Sequence, residues 1–320
     1  MHRQLKSIIR KTKARSLYAI ILFTGVATYL AVSLENTFGG SPSIHRPPAP
    51  AAAPFTKGRS SAALSISRSD ALFTRLQTEL ESLPAESLCH SQRGLGGRCF
   101  NCMINNETVL GQTDGVKPTC LDWLHANCSV LSFGINNDFS FDDQMSDLGC
   151  TVHAFDPTMG RDSYRRSERV FFHAEGVAAA DGHSGTFPVL SLASAAARAG
   201  LETGVIDYLK LDVEGSEWEV LLTAGATLRQ VRQLALELHL THPYGQLTSG
   251  VGIQQSEVAP HVSAEGARRF LEALGKLRDA GFLMTHSVHS VACQKYAGGC
   301  LPFMYETVWV NIALLPTRSQ

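Results

Sequence analysis

The run Asp207-Tyr-Leu-Lys-Leu-Asp-Val-Glu-Gly-Ser-Glu-Trp-Glu-Val-Leu holds the densest set of reactive side chains in the chain. Lys210, Asp212 and Glu214 alternate there, so on a strand all three share one face. Charges inside an otherwise apolar strand are costly unless they are paired or used. A structural Lys210–Asp212 ion pair is the plain reading, and a working set of acids at a strand end is the sharper one. A second run, 234–240, puts Glu237 and His239 on one face just ahead of His242-Pro243. Together the two runs aim carboxylates and an imidazole at one end of a sheet, which suits acid–base work on a bound substrate.

Two turns read as ligand-facing. Gly134-Ile-Asn136-Asn137-Asp138 has the residue types of a tight turn beside a ligand, and equally those of an ordinary strand-to-helix turn. Asp156-Pro157 follows Gly134 by 22 residues. An acid about 20 residues past a glycine turn is where nucleotide-binding α/β folds hydrogen-bond ribose hydroxyls. A surface acid is the alternative.

These residues need a scaffold, and apolar periodicity supplies one. Short runs rich in Val, Ile and Leu predict strands at 130–135, 151–155, 170–174, 206–213, 233–240, 282–287 and 307–314. Helical spacing predicts helices at 141–148, 190–199, 217–224 and 264–280, the last entered at Ser263 and ended by Gly281. Alternation of this kind indicates an α/β fold, a mostly parallel sheet with helices on both faces. Ligands of such sheets sit at the carboxyl ends of the strands, where the acids and turns above fall. Ahead of this region, Leu72, Phe73, Leu76, Leu80 and Leu83 predict a packing helix behind Ser69 or Asp70 as N-cap.

The chain has 320 residues, 44% hydrophobic and 18% charged, with a net charge of −1. That composition excludes a disordered, collagen-like or polytopic membrane protein. It gives no basic excess for nucleic acid. The charge is uneven, however: Arg3, Lys6, Arg10, Lys11, Lys13 and Arg15 precede the first acid, Glu35. The remainder holds 22 basic and 29 acidic residues and stands at −7.

Residues 16–34 are uncharged and mostly apolar, about 28 Å of helix, close to the thickness of a bilayer core. With the basic tail 1–15 held cytosolic, this predicts a signal anchor and a single-pass type II membrane protein of the Golgi or endoplasmic reticulum. Cleavage near Ala31-Val32-Ser33 and secretion is the alternative. Residues 35–68 read as a flexible Pro/Ala/Ser stem. A cysteine-bearing lead-in, 69–128, then precedes the catalytic-looking region 129–320.

An oxidising lumen and an even total of 8 cysteines favour disulfides. Cys293 and Cys300 are expected to close a small loop, and Cys128 and Cys150 to pair if their strands are neighbours. Zinc at Cys99-x-x-Cys102 with Cys120 is the alternative, disfavoured by the spacing of Cys120 and Cys128. Asn106-Glu-Thr and Asn127-Cys-Ser are N-glycosylation sequons usable in a lumen.

Leu131-Ser-Phe-Gly-Ile-Asn-Asn-Asp with Ser140-Phe, Gly149-Cys-Thr-Val-His-Ala-Phe-Asp-Pro, the Lys-x-Asp-x-Glu-Gly-x-Glu run, Leu236-Glu-Leu-His-Leu and Thr307-Val-Trp-Val-Asn occur in one order. Over about 130–315 this resembles the methyltransferase-like protein 24 type, membrane-anchored or secreted relatives of the FkbM methyltransferases. The resemblance implies a seven-stranded class I, Rossmann-like methyltransferase fold that binds S-adenosylmethionine. By matching position it implies Gly134 and Asp138 by the methionine end, Asn136 also at the cofactor, Asp156 on the ribose, and Glu175, Gly176 and Val177 near the adenine. It also implies Asp212 and Glu214 at the transfer site, with Glu237 and His239 beside it.

On that reading a glycan or small-molecule hydroxyl attacks the sulfonium methyl, with His239 the first candidate for base and Asp212 the second. A divalent cation on Asp212 and Glu237 is an alternative, since oxygen ligands suit Mg²⁺. Ser132-Phe-Gly134-Ile-Asn136 departs from the Asp-x-Gly-x-Gly-x-Gly pattern of the wider class. An inactive methyltransferase fold serving as a lumenal binding or scaffold module therefore stays open. A nicotinamide dehydrogenase is the third reading, and it lacks a full Gly-x-Gly-x-x-Gly.

Overall fold

The structure, a computed structural model, describes residues 67–82, 88–99, 113–240 and 261–315. In chain order, α1 (Arg68–Leu80) is followed by a ribbon of short strands, β1 (Gln92–Leu95), β2 (Arg98–Cys99), β3 (Thr113–Asp114) and β4 (Lys117–Cys120). Next come β5 (Ser129–Phe133), α2 (Ser140–Asp147), β6 (Thr151–Phe155), β7 (Tyr164–Arg165) and β8 (Val170–His173). A small three-stranded sheet follows, β9 (Gly176–Val177), β10 (Gly182–Ser184) and β11 (Phe187–Leu190). Then come α3 (Leu192–Arg198), β12 (Ile206–Leu211), α4 (Glu217–Thr223), α5 (Gly225–Leu228), β13 (Val231–His239) and α6 (Ala264–Asp279). The chain closes with β14 (Phe282–His289), β15 (Cys293–Tyr296), β16 (Gly299–Pro302) and β17 (Met304–Asn311).

The main sheet runs β14-β17-β13-β12-β5-β6-β8-β7. From β13 to β8 every neighbour is parallel, while β17 inserts antiparallel between β13 and β14. The seven expected strands are all present. An eighth, the two-residue antiparallel edge β7, is too short for periodicity to reveal. All six residues of β12 are buried, as a central parallel strand covered on both faces requires.

The two faces are covered differently. Leu131, Phe133, Leu209, Leu211, Leu234, Leu236 and Trp309 meet α1, α3, α4 and α6 in one apolar core. Val130, Val152, Phe172, Tyr208, Ala235 and Val308 meet Phe141 and Met145 of α2 and Leu95 of β1 in the other. Here β4, rather than a second helix, lies over β13 and β17 and reaches Tyr208 of β12. Gln233 brackets Cys120, accepting from its N–H at 3.1 Å and donating to its carbonyl at 2.9 Å. The Tyr208 hydroxyl donates to the Pro118 carbonyl at 3.2 Å. The lead-in is thus packed into the same unit as the region from 129 onward.

Capping explains the helix limits. Ser263 caps α6 through the Gly266 N–H, and Gly281 follows in the left-handed region at φ +97°. The cap of α1 is Ser67, which accepts from the Asp70 N–H, rather than Ser69 or Asp70. This helix therefore claims the last two residues of the expected stem 35–68.

Disulfides join Cys89–Cys120, Cys128–Cys150 and Cys293–Cys300. The second ties the neighbouring strands β5 and β6 at their entry, and the third spans the β15–β16 hairpin. With its sulfur bonded to Cys89, Cys120 is not available to zinc. No helix among the described residues is long and apolar enough to cross a membrane. This corrects the expected single-pass type II topology. Residues 16–34 themselves lie outside the described residues, as do Asn106 and Cys102. The disulfides fit a secreted or lumenal protein.

Candidate functional site

The glycine turn after β5 lies directly against the acidic run after β12. Gly134 has φ +83°, and a Cβ there would fall 1.7 Å from the Asp212 carbonyl oxygen, so only glycine fits. Asn136 and Asn137 continue the turn at φ +45° and +60°, a conformation Asn tolerates better than other side-chain-bearing residues. Asp156 buckles this turn: its Oδ2 accepts from the Ile135 and Asn136 N–H groups at 2.9 and 2.8 Å. Its Oδ1 accepts from the Thr158 N–H at 2.8 Å and the Thr158 hydroxyl at 2.6 Å. A carboxylate offers about four lone-pair sites, and this one has four donors from its own chain.

Beyond Leu211 the acidic run turns sharply, with Glu214 at φ +55° and Gly215 at φ +104°. A non-glycine residue in that region costs of order 1 kcal/mol and is held by its surroundings. The buried Glu217 carboxylate does the holding, accepting from the Val213 N–H at 2.8 Å and the Gly215 N–H at 2.9 Å. His239 Nδ1 lies 3.3 Å from Glu217, and its Nε2 lies 3.5 Å from both Glu214 and Glu237. Burial works against an imidazolium here, but the Glu217 hydrogen bond and the charges of Glu217, Glu237 and Glu214 outweigh it. The His239 pKa is pushed up to about 9.

Glu237 of β13 and Glu306 of β17 are direct partners across the antiparallel ladder, an arrangement that repels if both are ionised. The fully buried Lys117 of β4 lies between them. Its Nζ is 2.7 Å from Glu306 Oε1, 3.0 Å from Glu237 Oε2 and 3.1 Å from Asp212 Oδ2. Desolvation opposes the Lys117 charge, yet the three carboxylates hold its pKa well above the ordinary lysine value. Desolvation likewise raises Asp212, but Lys117 and Lys210 win and lower it to about 2. Burial drives Glu306 the other way, well above the usual carboxylate range, with Glu237 adding to it against the pull of Lys117. Lys210 Nζ donates to the Gly134 carbonyl at 2.5 Å and the Phe133 carbonyl at 3.2 Å, and lies 3.7 Å from Asp212.

A cavity of about 530 Å³ opens at the carboxyl ends of β5, β6, β12 and β13. Of the expected site residues, Gly134, Asn136, Asp138, Asp156, Gly176, Val177, Asp212, Glu214 and Glu237 line it; His239 does not, nor does Glu175, which pairs with Arg198 at 2.8 Å. Phe133 and Phe155 stack at 4.7 Å beneath it, while Val177, Phe187 and Val189 make an apolar wall from the small sheet. Asp142 of α2 also lines it, with burial raising its carboxyl to about 6 against the pull of Lys210. Its Oδ1 has no hydrogen-bond partner among the described residues.

Sequence reasoning missed Lys117 and Asp142. For Lys117 a signal existed: three acids on adjacent apolar strands against one lysine call for another cation. Nothing in the sequence said which of the remaining lysines supplies it. Asn127 is exposed in a turn at φ +65°, 3.4 Å from Arg169.

A model of the methyltransferase FkbM domain matches residues 92–284, more than half of the chain. "Probable methyltransferase-like protein 24" of Homo sapiens and of Rattus norvegicus are each 33% identical over 130 residues, 36% of this chain and 34% of the relative. The match spans about a third of the length of these curated relatives. Among solved structures, the methyltransferase FkbM from Methylobacillus flagellatus KT is 12% identical, over 57% of this chain and 43% of that one. Its TM-score of 0.31 is too low to bear on the fold.

Proposed function

The chain belongs to the FkbM methyltransferase family, and from that premise we propose that it methylates a glycan or small-molecule hydroxyl with S-adenosylmethionine in an oxidising compartment. The observation that carries this reading is one cavity that gathers the expected site residues other than Glu175 and His239. Its volume falls in the range of small-molecule sites, roughly 300–1,000 Å³. The bare backbone at Gly134 and the unpartnered Asp142 Oδ1 suit a ligand that combines close backbone approach with an ammonium group. Gly134, Asp138 and Asp142 would hold the methionine part, and Val177, Phe187 and Val189 the adenine. The cofactor supplies an electrophilic methyl when bound.

Asp212 and Glu237 face the acceptor. Asp212, held near 2, is a weak base, so it orients a hydroxyl by accepting its hydrogen bond rather than by removing the proton. His239 is charged at neutral pH and stands behind the cavity wall, where it fixes Glu214 and Glu217. That reverses the order in which the sequence ranked the two. The disulfides support the compartment.

The test is calorimetric titration of the purified, oxidised chain with S-adenosylmethionine and S-adenosylhomocysteine. Micromolar binding that is lost in Gly134→Ala supports the enzyme. One observation favours the scaffold alternative: a ribose hydroxyl must displace a donor such as the Thr158 hydroxyl to reach Asp156. No binding at millimolar ligand by a folded chain would leave that alternative standing.

A further inference from the structure

Asp212 just past β12, Glu237 of β13 and Glu306 of β17 share one cation. A divalent ion between Asp212 and Glu237 is the alternative that the sequence leaves open, since oxygen ligands suit one. Lys117 Nζ stands there instead, 3.1, 3.0 and 2.7 Å from one oxygen of each acid. An ammonium has three N–H donors, so three carboxylates saturate it. Lys117 is fully buried, and its strand is clamped on the sheet by Gln233 and Tyr208. The ammonium is therefore brought to the acids by β4 and is held there by the fold.

We propose that Lys117 is the resident cation of this site: it fills the place of a divalent metal and positions Asp212 and Glu237 toward the cavity without one. Lys117 is a positioning residue, because Asp212 and Glu237 line the cavity and it does not. The role in transfer rests on the methyltransferase reading, whereas the exchange of an ammonium for a metal does not.

The test replaces the tethered cation by a free one, with Mn²⁺ as the probe. In Lys117→Ala the four-carbon stem and its charge are gone, leaving a hole lined by three carboxylates. This variant is expected to bind one Mn²⁺ per chain by electron paramagnetic resonance. Mn²⁺ is expected to raise its melting temperature and to tighten S-adenosylhomocysteine binding at least tenfold. Lys117→Met, which keeps the hole filled, is expected to gain neither, and the unaltered chain is expected to bind no Mn²⁺ there. Mn²⁺ uptake by the unaltered chain that disappears in Asp212→Asn would overturn the proposal. So would a Lys117→Ala chain that takes no Mn²⁺, whether it folds or fails to fold with the metal present. If the unaltered chain binds no S-adenosylhomocysteine while the metal exchange occurs, the transfer reading falls and the resident cation stands.

Discussion

The two faces of the main sheet solve the same burial problem with different materials. One face packs Leu209, Leu211, Leu234 and Leu236 against four helices, with the Asp207–Arg232 pair at the starts of the two strands. The other face carries Lys210, Gln233, Glu237 and His239 on the same two strands, and β4 covers Gln233 and meets Glu237 through Lys117. Helices can cover an apolar face by shape alone. A face loaded with buried charge needs a cover that brings counter-charges and hydrogen bonds, and the ribbon does so with Lys117 and the backbone around Cys120. The face that carries the polar cluster is thus also the one whose stability depends on pairing rather than on area.

Substitutions can separate the two modes. Lys117→Met should cost the most, about 3–5 kcal/mol, because it leaves buried carboxylates facing one another. Chemical denaturation at pH 7 would measure it, and a loss below 1 kcal/mol would mean that the acids relax into solvent. Leu234→Ala on the leucine face should cost about 2–5 kcal/mol by leaving a cavity. Unlike the first, it should leave the S-adenosylhomocysteine affinity of the folded fraction unchanged. A parallel fall in affinity would erase the distinction between the faces.

His239 sharpens the comparison through pH. Its folded pKa, about 9, lies above its unfolded value near 6.5, so its contribution is fully present below about pH 6.5 and is lost as pH rises through 9. The size is about 3 kcal/mol, and melting curves between pH 6.5 and 9.5 should show the loss in the unaltered chain and not in His239→Gln. The smallest effect belongs to the surface. Arg166 holds Asp143 through two hydrogen bonds, at 2.9 and 2.7 Å, with both side chains half-exposed, so Asp143→Ala should change stability by about 1 kcal/mol or less. A larger loss would show that even the rim of this face depends on charge.

Much of this molecule is legible in its sequence, for reasons that differ by residue. Runs such as Val130–Leu131 and Leu234–Leu238 reveal central strands because both faces are buried. Gly134 is legible because its type suits a turn that almost no other residue allows. The edge strand Tyr164–Arg165 is not, since two residues hold no period. The cap falls at Ser67, two residues before Ser69 and three before Asp70, because three side chains able to cap crowd one turn.

What the sequence by itself determined is local: the order of strands and helices, the turn at Gly134, and the acids at the ends of β6, β12 and β13. Alternation and residue type fix these, because they depend on neighbours along the chain. Only the tertiary structure decided that Asp156 meets four donors from its own chain, that His239 is charged and outside the cavity, and that Lys117 joins Asp212, Glu237 and Glu306. Lys117 and Glu306 are 189 residues apart. Which charge meets which across such a distance is set by how β4 docks on the sheet, and no local pattern in the sequence carries that information.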